Sequence, residues 1–365
     1  LIPVPGKRCK EVIIFVNPAR RVWRWRVINA TLFGVLGLTV VVCSTIGPAQ
    51  ISPVDVLIML AQKLPWVGGM VPPGDWPESY ETIIFQMRLA RVVLAVLVGA
   101  GLASSGVVLQ GLLQNPMADP YILGISSGAA LGATAAMLFG LGVHTLGIFA
   151  LPLTAFAGAV ATAVTVYNVA RVGGRTPVST LILAGIAVGS FLSAVTSYFM
   201  ITSGQNIHQV VFWLMGGLAG RGWNHVIVLL PYIITGLAIM LLNVRKLNVM
   251  LLGDEPAQHL GVEVERLKQV LLGAATLTAA AAVAVSGVIG FVGLIIPHAV
   301  RLLVGPDHRV LLPAATLAGA IFLAAADTLA RVAAAPGEIP VGVITALCGG
   351  PFFIYLLRKK KEPGF

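Results

Sequence analysis

RKLNVMLLGDEPAQHLGVEVERLK, residues 245 to 268, is the one long polar island in the second half of a chain that is otherwise mostly apolar. It holds eight charged residues, where charged residues make up only 10% of the 365 positions. Leu247, Met250, Leu251 and Leu252 recur at helical spacing before Gly253, and Leu260, Val262, Val264 and Leu267 follow a break at Pro256. That pattern predicts two short amphipathic pieces. Gly253 can close the first with a positive φ, and Gly261 offers a second corner. A compact, half-polar structure hung between two membrane spans is a handle for another protein.

Working outward from the island, composition sets the class. Hydrophobic residues are 57% of the chain and the mean hydropathy is +0.93, which excludes a soluble single-core domain and predicts an all-α polytopic membrane protein. The formal charge of +10 does not indicate nucleic acid, because Lys and Arg sit in short loops between apolar runs, as membrane anchors do. Cys9, Cys43 and Cys348 have no metal-ligand spacing. Apolar runs place spans at about 27–46, 92–113, 122–141, 146–169, 178–201, 226–244, two within 269–304 divided near Ser286 and Gly287, then 310–329 and 339–357. Residues 208–218 are too short to cross and read as a re-entrant or surface helix. The domain plan is a basic N-terminal segment 1–26, one membrane domain 27–357 with the loop 245–268, and a tail 358–365.

Charge fixes the count at ten spans. With both termini cytoplasmic, 19 of the 24 Lys and Arg residues fall on the inner side, whereas nine spans would expel the terminal basic run. The five exceptions are Lys63, Arg88, Arg91, Arg221 and Arg331. Arg88 and Arg91 are three apart and so share a helix face. They read either as snorkelling cations, with Arg331 paired to Asp327 four residues back, or as a docking patch for an acidic partner outside. An internal echo, Ser105-Gly106-Val107 with Pro116 and Ser286-Gly287-Val288 with Pro297, suggests an inverted repeat, a transporter signature.

Other motifs exclude chemistry. Gly124-Ile125-Ser126-Ser127-Gly128 fits the hydrolase pattern G-x-S-x-G but opens a Gly- and Ala-rich apolar run, where close helix packing is expected. His298 and Arg301 read as a packed helix end. No phosphate-binding G-x-x-x-x-G-K-[ST] occurs, and all fourteen Asp and Glu lie in loops or near span ends, with Asp119 and Asp327 the most interior. A proton- or ion-coupled carrier needs an ionisable group near mid-membrane, so energy must come from a partner. A secondary carrier or channel is the competing class.

Four stretches carry a family resemblance: 88–132, LGDEPAQHLGVEVERLK at 252–268, SGVIGFVGLIIPHAVRLLVGPDHRVLLP at 286–313, and ADTLARVAAAPGEIPVGVITALCGGPFF at 326–353. They closely resemble the permease subunits of bacterial ABC importers for iron chelates (siderophores, haem) and cobalamin, the type II importers. The resemblance implies a homodimer of ten-span subunits in the bacterial cytoplasmic (inner) membrane, with two ATPase subunits inside, which bind ATP and Mg, and a solute-binding protein outside. The permease itself would bind no cofactor or metal and catalyse nothing. By resemblance, Arg88, Arg91 and Arg331 would meet glutamates of the binding protein. Leu252, Gly253, Asp254, Glu255, His259, Leu260, Gly261 and Val262 would form the helix that couples to the ATPase. Asn115, Pro116 and Met117 with Ser179 and Thr180 would form a cytoplasmic gate. Where the family commonly has proline in its RLPR motif, this chain has Ala90.

Overall fold

A computed structural model describes residues 18–359 other than 50, 64, 66, 67, 72, 73, 142, 203, 205 and 206. The basic lead-in through residue 17 and the lysines from 360 onward lie outside the described residues. All regular structure among the described residues is helical apart from one isolated bridge between Val172 and Arg175. Its helices are α1 (Pro18–Thr45), α2 (Pro53–Gln62), α3 (Leu89–Leu112), α4 (Ile125–Phe139), α5 (Ala150–Ala170), α6 (Val178–Thr202) and α7 (Ile207–Leu214). There follow α8 (Trp223–Leu242), α9 (Val244–Met250), α10 (Asp254–His259), α11 (Val264–Ser286), α12 (Val292–Val304), α13 (His308–Val332) and α14 (Val341–Lys359).

Every expected span coincides with a helix, but among the described residues only seven helices are long and apolar enough to cross a membrane: α1, α3 with its lead-in from Glu78, α5, α6, α8, α11 and α13. The other three depart from the expected twenty residues. α4 has 15 and α12 has 13, and the apolar part of α14 runs only from Val341 to Tyr355. At ~1.5 Å per residue, α12 reaches about 20 Å against the ~30 Å of a hydrocarbon core. Backbone chemistry sets these limits. Gly140 caps α4 in the left-handed region, and α12 lies between Phe291 (φ 71°) and Gly305 (φ 87°). The interrupted segment after α6 forms the short helix α7, which ends at Leu214 before Gly216 turns the chain back (φ 70°).

The bundle is organised around α3. Its apolar residues run all the way round, and nearly every residue from Ala90 onward is buried. Small residues let neighbours approach to backbone contact. A Cβ added at Gly99 would strike the Gly319 carbonyl of α13, and one at Gly106 would strike the Gly293 carbonyl of α12. Ser105 fastens α3 to α11, its Oγ 2.5 Å from Thr278 Oγ1 and 3.1 Å from the Ala275 carbonyl. Gln110 donates to the Leu294 carbonyl of α12 (3.1 Å).

The two copies of the internal echo take different local structure. Ser105-Gly106-Val107 lies in mid-α3, whereas Ser286 is the last residue of α11 and Gly287 its left-handed cap (φ 71°). The same three residues serve helix packing in one place and helix termination in the other.

Candidate functional site

Two polar sites sit at opposite ends of the bundle. At the first, α3 begins and α13 ends, and Arg88, Arg91 and Arg331 come together there as expected. They do not present a free basic patch. All three are buried, at 4%, 9% and 3% exposure. Arg88 turns away from Arg91 and donates to the carbonyl of Thr45, the last residue of α1 (3.0 Å), and to that of Ala49 in the turn towards α2. Arg91 instead grips Asp327 of α13 through Nε (2.9 Å to Oδ2) and Nη2 (2.9 Å to Oδ1), and Glu338 through Nη1 (2.8 and 3.0 Å). Arg331 lies 3.6 Å from the same Asp327 carboxylate and donates to the Cys43 carbonyl (3.0 Å) and Thr328 Oγ1 (2.9 Å). The physical reason is desolvation: guanidinium groups at the end of an apolar bundle take carboxylates and carbonyls from their own chain rather than stay bare.

Glu338 was missed by sequence reasoning. The available signal was charge parity, since the cations on this side needed counter-charges and Glu338 stands seven residues after Arg331. Its side chain is 35% exposed, the most accessible carboxylate of the cluster.

At the opposite end the polar island folds as two short helices, α9 and α10, with Gly253 (φ 107°) and Gly261 (φ 81°) as the expected corners. Pro256 is not the break that the pattern suggested. It lies in the first turn of α10, where its missing N–H costs nothing. Leu252 and Leu260 are about two-thirds exposed, at 64% and 63%, on either side of α10. Asp254, at the head of α10, pairs with Lys268 of α11 (2.5 Å), whose side chain is only 6% exposed, so α10 is pinned to a membrane helix. Asn248 of α9 ties the loop to α13 as well: its Oδ1 accepts from His308 N–H (2.8 Å) and its Nδ2 donates to Asp307 (2.8 Å). Glu255, His259 and Val262 complete this element.

Asn115, Pro116 and Met117 form the turn that leaves α3, with Asn115 Oδ1 accepting from Met117 N–H (2.9 Å). Ser179 and Thr180 open α6, and Thr180 Oγ1 donates to the Ala170 carbonyl of α5 (3.0 Å). The link between the two is the turn Pro120–Leu123, since the Ile122 carbonyl lies against Gly185 of α6. Asp119 caps that turn by accepting from Tyr121 N–H (2.9 Å), and burial pushes its carboxyl up to about 6. A carboxyl raised on folding costs stability as pH climbs from 3.8 to about 6. Asp119→Asn keeps the acceptor and removes the charge, so melting curves across that window should show a flatter profile and a variant more stable than wild type at pH 7. Equal slopes for both proteins would refute the assignment.

The G-x-S-x-G segment opens helix α4 with no preceding strand, and a Cβ at Gly128 would collide with Thr162 and the Gly158 carbonyl of α5. It is a packing seam, not a nucleophile elbow.

Comparisons with known proteins agree with this arrangement. The sequence profile of the FecCD transport family matches residues 35–359. The chain is 52% identical to the cobalamin import system permease protein BtuC of Halobacterium salinarum over 78% of this chain and 76% of that one. It is 44% identical to the hemin transport system permease protein HmuU of Yersinia pestis (77% and 84% covered) and 44% to the Fe(3+)-citrate import system permease protein YfmE of Bacillus subtilis (77% and 83%). A solved inward-facing structure assigned to the metal-chelate type of ABC transporter superposes with a TM-score of 0.78 at 34% identity, covering 91% of this chain and 99% of the other. A bundle threaded on one buried helix, a pinned loop at one end and an arginine cluster at the other thus belong to a member of the FecCD transport family, a multi-pass permease subunit of an ABC importer without an ATPase activity of its own.

Proposed function

We propose that this permease passes an intact, bulky metal chelate across the cytoplasmic membrane as a ten-span homodimer with both termini inside, worked by two ATPase subunits gripping the loop 245–268. The observation that carries the reading is the pinned helix α10: exposed Leu252 and Leu260 offer a partner an apolar grip, and the Asp254–Lys268 pair passes its displacement to α11. Loaded solute-binding protein docks at the arginine end, where Arg91, Arg88 and Arg331 outnumber Asp327 and Glu338, and its carboxylates compete with Glu338 for Arg91. Asn115, Pro116, Met117, Ser179 and Thr180 form the inner gate. Among chelates, iron–siderophore complexes and haem suit such a conduit, with cobalamin the alternative: one cobalamin permease is 52% identical, ferric-citrate and hemin permeases are 44%, and a vitamin B12 permease is 40%.

The test is reconstitution in proteoliposomes with the ATPase and a loaded binding protein, comparing cyanocobalamin, haem and a ferric siderophore. Uptake should require ATP and all three components, and transport by the permease alone would establish the carrier or channel reading instead. Lys268→Met should cut uptake about tenfold, a coupling loss of ordinary size, while the complex stays assembled and still hydrolyses ATP. Unchanged uptake would remove α10 from the coupling path.

A further inference from the structure

Beside the arginine cluster the chain forms a half-open cavity of about 690 Å³. That lies within the ~300–1,000 Å³ of sites that hold small molecules. One wall is the Arg91–Glu338 ion pair, already neutralised; another is the loop that carries Arg221 between α7 and α8. Phe212, Trp213, Ile148 and Leu151 supply apolar lining. The loop is held in place by Trp223, whose indole N–H donates to the Phe85 carbonyl (2.8 Å).

Arg221 differs from Arg91 and Arg331, which hold carboxylates, and from Arg88, which holds backbone carbonyls. Among the described residues no carboxylate stands within ion-pair distance of it. Its Nη1 lies 3.3 Å from His225 Nε2, and its Nε is buried without a partner. Burial pushes the guanidinium below its usual value and nothing pulls it back. Arginine nonetheless keeps its proton in proteins, so the charge stays and is uncompensated. A second orphan lines the same cavity: Trp213 is 7% exposed and its indole N–H, which can only donate, meets no acceptor among the described residues. Two unsatisfied donors and one bare positive charge in apolar surroundings have a definite complement. It is an acceptor-rich anionic group carried on an apolar body.

We propose that this cavity is a holding site for the cargo, in which Arg221 pairs with a carboxylate or phosphate of the ligand and Trp213 donates to it while Phe212 and its neighbours cover the apolar part. The assignment rests on the chelate-import reading, and it is tested by binding rather than by uptake, so that the two can fail separately. The permease–ATPase complex in phosphatidylcholine nanodiscs is titrated with three probes, ferric protoporphyrin IX, cyanocobalamin and ferric citrate, with empty nanodiscs subtracted. At least one probe should bind saturably, with an affinity that falls about tenfold or more in Arg221→Met, as expected for loss of a hydrogen bond to a charged group, and about threefold in Trp213→Phe, while Arg221→Lys retains most of it.

Melting distinguishes a ligand site from a structural role. An uncompensated, half-buried charge costs some stability, so Arg221→Met should melt as high as wild type or higher while binding worse. Absence of saturable binding by all three probes, or equal binding by Arg221→Met, overturns the site. So does abolition of probe binding by phosphatidylglycerol in wild type but not in the variant, since the occupant would then be a lipid headgroup. Impaired uptake in Arg221→Met with probe affinities unchanged also overturns it, assigning Arg221 to a protein partner.

Discussion

Asp327→Asn should lower the melting temperature of the permease more than any single arginine substitution at the same end, with a loss of about 3–5 kcal/mol, the usual cost of removing one member of a buried ion pair. The carboxylate is 1% exposed and is shared: Arg91 holds both its oxygens and Arg331 stands 3.6 Å away. Asparagine keeps one acceptor of nearly the same shape but no charge. Arg91 would still have Glu338, whereas Arg331 would keep only the Cys43 carbonyl and Thr328. Arg331→Met alone should cost less, because it relieves repulsion with Arg91 and leaves the Arg91–Asp327 pair intact. The double variant Asp327→Asn/Arg331→Met should therefore be more stable than Asp327→Asn, a coupling of opposite sign to additivity that a double-mutant cycle reads directly. A loss below about 1 kcal/mol for Asp327→Asn would mean that the cluster is solvated and contributes no more than a surface pair.

The same cluster shows what a sequence can and cannot convey. Helical periodicity and apolar length put a helix at every expected span, because hydrophobic runs are a property of one segment at a time. The corners at Gly253 and Gly261 were legible for the same reason, since a positive φ is a local demand. The failures are all non-local. Arg88 and Arg91 share a helix face by spacing, yet one turns to the α1–α2 turn and the other crosses to α13, a choice made by partners 39 to 43 and 236 residues away in the chain. Lys268 was counted only as an inner-side cation, and its burial against Asp254 depends on how α10 folds back on α11. Asn248, Asp307 and His308 have no role that spacing reveals, although they tie the loop to α13. That helix runs unbroken from His308, held by the loop at one end, to Asp327 and Arg331, held by the arginine cluster at the other. A single 25-residue helix of about 37 Å thus joins the two polar sites, a connection that pattern and spacing do not reveal.

Gly106→Val tests the packing on which this connection depends. Gly106 faces the Gly293 backbone so closely that even a methyl group meets a carbonyl oxygen, not a movable side chain. Relief requires α3 and α12 to separate, and α3 has nowhere to go, being packed on α1, α8, α11 and α13 as well. Overpacking a core ordinarily costs about 1–3 kcal/mol, and a collision with backbone belongs at or above the top of that range. The strain would be shed where α3 is fastened by polar contacts, at Ser105 to Thr278 and at Gln110 to Leu294, each of which loses its hydrogen bond once the helices part. The expected result is a fall in melting temperature comparable to that of Asp327→Asn, together with loss of uptake. The control is Gly273→Ala in α11, where an added Cβ meets nothing within 4 Å. There alanine should be neutral or stabilising by about 1 kcal/mol through helix propensity alone. If the two glycines respond alike, close backbone approach is not what organises the bundle around α3, and the stability must reside in the surrounding larger side chains instead.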